Sequence, residues 1–137
     1  MDLKQKVGCL KQLRYLKGEV DQLSQRIARL EALSDAGWPD AAALGALRER
    51  LGLRRRHCME MLGAMYAFID DIDDSLTRQI MAYRYIDGFT WRQIAGCISE
   101  RDEQYPRRLH NRFLARTGLP GALDRGEKMC ANAREGA

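Results

Sequence analysis

The stretch Ser75–Arg116, SLTRQIMAYRYIDGFTWRQIAGCISERDEQYPRRLHNRFLAR, decides how the rest of the chain is read. Its apolar residues recur three and four apart in three short runs, the period of helices that bury one face. Asp87-Gly88 closes the first run, and glycine just past a helix end relieves the left-handed conformation needed there. Thr90 and Gln93 have the spacing of a capping box, in which the threonine hydroxyl accepts an orphan N–H and the glutamine reaches back. A helix is therefore predicted from Trp91, with Trp91, Ile94, Ala95 and Ile98 on one face. The alanine leaves room for a close helix crossing. A polar run from Ser99 to Gln104 breaks the period before Leu109 and Phe113 resume it. Proline is tolerated in a helix only in its first turn, so Pro106 requires the third helix to begin near Glu103 or Gln104.

Projected at about 100° per residue, this last helix divides into two faces. Tyr105, Leu109, Phe113 and the stem of Arg116 are predicted to turn inward. Gln104, Arg107, Asn111 and Leu114 are predicted to turn outward, flanked by Arg108, His110 and Arg112. Arginine pairs bidentately with guanine, and asparagine or glutamine with adenine, in the major groove. Flanking cations neutralise phosphates. A solvated basic helix face is the plainer reading of the same residues. The capped helix and short connection before it favour a helix-turn-helix.

On the segments SLTRQI, RYIDG, TWRQIA and RRLHNRFL, residues 70–116 resemble region 4 of bacterial sigma factors. They are more similar still to the small phage-encoded late-transcription regulators of ArpU-like type, which share that helix-turn-helix. The resemblance covers roughly a third of the chain. It implies sequence-specific binding of double-stranded DNA in transcription, with RNA polymerase as a further partner. Gln104, Arg107 and Asn111 would then read bases. Arg92, Arg108, His110 and Arg112 would hold phosphate, aided by backbone N–H groups at the Thr90 helix start. The segment from Ser99 to Gln104 departs from the family in being longer and lacking glycine.

Upstream, Leu13, Leu16, Val20, Leu23, Ile27 and Leu30 form a heptad seam, with Leu3, Val7 and Leu10 slightly out of phase. A helix from Leu3 to Leu33 would reach about 45 Å. DAGWPD (35–40) ends it: Gly37 suits a C-terminal cap, and Pro39 with Asp40 suits a new start. Trp38 is read as stapling the two helices, with exposure for a partner as the other reading. A second seam then runs through Leu44, Leu47, Leu51, Cys58, Leu62, Met65 and Ile69. The short connection makes the two helices antiparallel neighbours. Arg54, Arg55 and Arg56 interrupt the second seam, either as snorkelling cations, the preferred reading, or as phosphate ligands. The acidic run at Asp70, Asp71, Asp73 and Asp74 is read as capping the helix from Ser75, ahead of contact with a basic partner. That helix is predicted to bury Leu76, Ile80 and Tyr83, with Met81 and Tyr85 as a second edge.

The chain is thus expected to be all-α. Residues 1–71 form a long antiparallel, coiled-coil-like hairpin for oligomerisation or packing, 72–117 a compact helix-turn-helix head, and 118–137 a flexible tail. So much leucine on two helices calls for a partner surface, and a homodimer through them would match a two-fold operator.

Composition agrees with this plan. The chain has 137 residues, 45% hydrophobic and 7% aromatic, with three prolines and a formal net charge of +4. Basicity permits nucleic-acid binding without demanding it. Cys9, Cys58, Cys97 and Cys130 are scattered and share no metal-ligand spacing with either histidine, so no metal and no cofactor is expected. Single thiols, a polar start and no long apolar run point to a soluble protein of a reducing cytoplasm, away from membranes, and the phage resemblance implies that this is the cytoplasm of a bacterial host cell. No nucleophile–base pairing or phosphate loop suggests an enzyme. Two other readings stay open: a phage DNA-packaging protein similar to small terminase subunits, and a protein-interaction adaptor whose basic helix touches no DNA.

Overall fold

The computed structural model describes residues 1–121, and these form five helices with no strand among the described residues: α1 (Leu3–Asp35), α2 (Ala41–Asp70), α3 (Ser75–Tyr85), α4 (Trp91–Cys97) and α5 (Gln104–Arg116). The described residues are all-α, as expected. Cys130 and most of the expected tail lie outside the described residues.

Each helix starts on a side chain that takes up an orphan N–H. At α1, Asp2 and Gln5 form a reciprocal pair, Asp2 Oδ1 accepting from Gln5 N and Gln5 Oε1 from Asp2 N, both at 2.8 Å. Asp40 Oδ1 accepts from Ala43 N at 3.0 Å. Asp74 Oδ2 accepts from Thr77 N at 3.0 Å and from its hydroxyl at 2.6 Å, so the last acidic residue of the run does cap α3. These two bonds hold the Asp74 carboxyl below the usual carboxylate range. Thr90 and Gln93 make both bonds of the capping box. Asp102 Oδ1 accepts from Gln104 N at 2.9 Å ahead of α5.

Residues Tyr15–Leu62 make one compact unit. There Glu19 pairs with Arg54 at 3.7 Å, Ser24 accepts from Arg55 at 3.3 Å, and Glu31 pairs with Arg48 at 3.3 Å. Two of the three interrupting arginines are therefore tied to α1, in line with the structural reading. Such exposed pairs stabilise little individually. Leu16, Leu23, Ile27, Cys58 and Met61 are buried. Burial and the neighbouring Glu19 carboxylate push the Cys58 thiol up to about 11, so it stays protonated and unreactive. Trp38 is 50% exposed and does not act as the expected staple. The turn is closed instead by backbone: Trp38 N donates to Leu33 O and Gly37 N to Ser34 O, with Gly37 at φ 80°.

The other unit joins Met1–Arg14 with the described chain from Gly63 to Gly121. Within it α3, α4 and α5 all pack on one another. Its interior holds Leu10, Met65, Ile69, Ile80, Met81, Ile94 and Leu114, each worth about 1.5–3 kcal/mol on full burial. α3 buries Thr77, Ile80, Met81 and Tyr85; Leu76 and Tyr83, predicted inside, are half-buried. Tyr83 stacks on Phe89 at 5.6 Å, and Phe68 meets Phe113 at 5.9 Å. Lys6 Nζ donates to Leu114 O at 2.7 Å, tying the start of α1 to the end of α5.

Two turns inside this unit use left-handed residues. Gly88 has φ 72°, and Phe89 N behind it donates to Tyr83 O at 2.9 Å. Ser99 has φ 61° and closes α4 in place of a glycine: Glu100 N donates to Ala95 O at 2.8 Å and Ser99 N to Gly96 O at 3.2 Å. A side chain in this conformation costs about 1–2 kcal/mol. Ser99→Gly is thus expected to raise stability by about 1 kcal/mol and Gly88→Ala to lower it by at least as much. Urea midpoints that move in the same direction for both would contradict this account of the two turns.

Candidate nucleic-acid interface

α5 is built from its buried edge outward. Pro106, His110 and Leu114, four residues apart, are its interior residues. Pro106 sits in the first turn, where its missing N–H is no loss. The Tyr85 hydroxyl lies 2.5 Å from His110 Nε2, and His110 Nδ1 lies 2.8 Å from Asn111 Oδ1. Since a carboxamide oxygen can only accept, Nδ1 carries the proton and donates to Asn111, while neutral Nε2 accepts from the tyrosine. Trp91 meets the same imidazole edge-on at 4.9 Å. Burial is the main reason His110 is held below its ordinary 6.5, with Arg84, Arg107 and Lys11 adding in the same direction. Desolvation likewise pushes the Tyr85 hydroxyl upward.

This buried edge corrects the predicted rotation of α5 by about one residue, or 100°. His110, expected among the phosphate ligands, is 2% exposed and holds the core together instead. Leu114, expected to face outward, is fully buried. Tyr105, Leu109 and Phe113, the predicted inner face, are only half-buried. An exposed strip on successive turns carries Gln104, Arg108, Arg112 and Ala115.

The remaining predicted residues divide accordingly. Gln104 is exposed at the start of the strip. Arg108 is exposed and reaches Asp102 at 3.4 Å, a loose surface pair; Arg112 is exposed on the next turn. Arg107 is exposed and Asn111 half-buried, and both line a groove shared with Lys4 and Lys11 of α1, away from the middle of the strip. Arg92 is exposed on α4. Thr90 has its hydroxyl and its N–H both engaged in the capping box. Arg101 and Arg116, which the sequence reading left out of the basic set, are exposed as well. The signal for the true rotation was the 106–110–114 spacing, hidden because proline and histidine do not score as core residues.

Among the described residues no group of three or more His, Cys, Asp or Glu side chains is placed to hold a metal ion. None of the described helices is long and apolar enough to cross a membrane. Comparison with protein-family models, with curated proteins and with solved structures finds no match to the chain.

The state of His110 makes this unit sensitive to acid. The folded unit keeps the imidazole neutral, whereas the unfolded chain takes up a proton below about pH 6.5. Stability is therefore complete above that pH and declines as pH falls toward the lower folded value. The melting temperature is expected to drop between about pH 7.5 and about pH 5.5, with a shallower drop in His110→Gln. Tyr85→Phe, which leaves buried Nε2 without a partner, is expected to cost about 1–3 kcal/mol in a denaturant titration.

Proposed function

We propose that this chain is a sequence-specific DNA-binding transcription regulator of phage or prophage type, in which a helical hairpin carries a helix-turn-helix head and α5 enters the major groove. The observation that carries the reading is the exposed strip of α5. Gln104, Arg108 and Arg112 stand on successive turns, with Arg101 and Arg116 nearby. This strip has the donors that recognise guanine and adenine edges and the charge that holds phosphate. The support beneath it is firm: a capped α4, a closed turn at Ser99 and an interior that fixes the rotation of α5. On this reading Gln104, Arg108 and Arg112 face the bases. Arg107 and Arg92 serve phosphates from the sides, and Asn111 positions His110. The resemblance of residues 70–116 to sigma region 4 supports the same conclusion from sequence.

Exposed Leu33, Trp38, Leu47, Leu53 and Met59 favour a partner surface along α1 and α2, which suits a homodimer. They would equally serve a packaging ring. The mass in solution separates the two: a dimer fits a regulator, about eight or more subunits a ring.

The test is binding to duplex DNA from the neighbouring genome, against random duplex, over a salt series. With about four to six phosphate contacts per head, log affinity is expected to fall against log salt with a slope near −4 to −5. Arg108→Ala is expected to cost about 1–3 kcal/mol and to relax sequence preference, while Arg56→Ala on α2 leaves binding unchanged. Wild-type binding by the Arg108 and Arg112 variants together would remove α5 as the reading element.

A further inference from the structure

The groove beside α5 has a chemistry of its own. Its volume is about 380 Å³, within the range of about 300–1,000 Å³ usual for small-molecule sites. Lys4 and Lys11 line it from the first turns of α1, Arg84 from α3 and Arg107 from α5, with no carboxylate among the lining residues. None of these four cations is ion-paired among the described residues. Arg84 is fixed in place: it donates to Phe89 O at 3.0 Å and lies over the Trp91 ring at 4.5 Å. Asn111 uses its oxygen toward His110, which leaves its two amide hydrogens as donors. The lining is completed by aromatic Tyr85 and Trp91 and by apolar Leu3 and Val7.

Four like charges gathered without a counter-charge repel one another, and the walls of a concavity concentrate their field. A bound dianion removes that repulsion and gains charge-assisted hydrogen bonds. A bare inorganic anion would leave the aromatic and aliphatic part of the lining unused. We propose that this groove binds a small phosphorylated molecule with a planar body, of the mononucleotide class, its phosphate among Lys4, Lys11 and Arg107 and its planar part along the Trp91–Val7 wall. The site lies beside the exposed strip of α5, and Arg107, which the DNA-binding reading assigns to a backbone phosphate, is the one cation the two readings share.

Calorimetric titration of the full chain with adenosine 5′-monophosphate, adenosine and inorganic phosphate tests this. The nucleotide is expected to bind at least about tenfold more tightly than either fragment. Lys11→Gln and Arg107→Gln are each expected to weaken it about tenfold or more, whereas Arg112→Gln, on the open strip, has no effect. Lys11 and Arg107 are exposed, so these variants keep the fold, and helical circular dichroism checks it. No nucleotide binding at millimolar concentration, or equal binding of nucleotide and phosphate with no response to Arg107→Gln, overturns the proposal. It is also overturned if Lys4→Gln and Lys11→Gln weaken duplex DNA as strongly as Arg112→Gln while the nucleotide does not bind; the groove's cations would then serve backbone phosphates.

Discussion

The hydrogen bond between the Tyr85 hydroxyl and His110 Nε2 sets the rotation of α5, and with it everything the helix presents to its surroundings. Both partners are almost fully buried, so neither can turn to water without leaving the other unsatisfied, at a cost of about 1–3 kcal/mol. Asn111 closes the other side of the imidazole and fixes its tautomer. With Pro106 and Leu114 on the same edge, the helix has one orientation compatible with the core. The arginines at 108 and 112 are outward because the histidine between them is inward.

Most of the fold was legible in particular residues. Gly37 and Gly88 mark the ends of α1 and α3, Thr90 with Gln93 opens α4, Asp74 caps α3, and Pro106 places the start of α5 to within a residue. These are local signals: each acts over a few bonds of backbone, so sequence alone carries them. The rotation of α5 was not legible, because periodicity weighs Leu109 and Phe113 as core and His110 as charge. A neutral histidine bonded to a tyrosine 25 residues away leaves no local pattern. Ser99 was hidden for a similar reason, since the left-handed conformation normally announces itself through glycine.

The placement of charge follows from the same geometry. Arg54 and Arg55 face carboxylate and hydroxyl partners on α1, which accounts for arginines interrupting an apolar seam without any ligand. Around α5 the cations have no such partners among the described residues except the loose Asp102 contact at Arg108. They form two populations: the open strip, facing solvent, and the groove lined by Arg107 with Lys4, Lys11 and Arg84. One helix thus supplies two basic surfaces of different shape. An extended strip fits a polymer, a concavity a small molecule.

The bond from Lys6 to the Leu114 carbonyl spans 108 residues of chain. Leu10 and Leu13, near Lys6 in sequence, are buried in the same compact unit as Leu114. Contacts between residues this far apart in sequence close a large loop, so they form late relative to the local turns of each helix. A chain truncated before α5 therefore lacks the Leu114 carbonyl that Lys6 binds, and the start of α1 loses that tie.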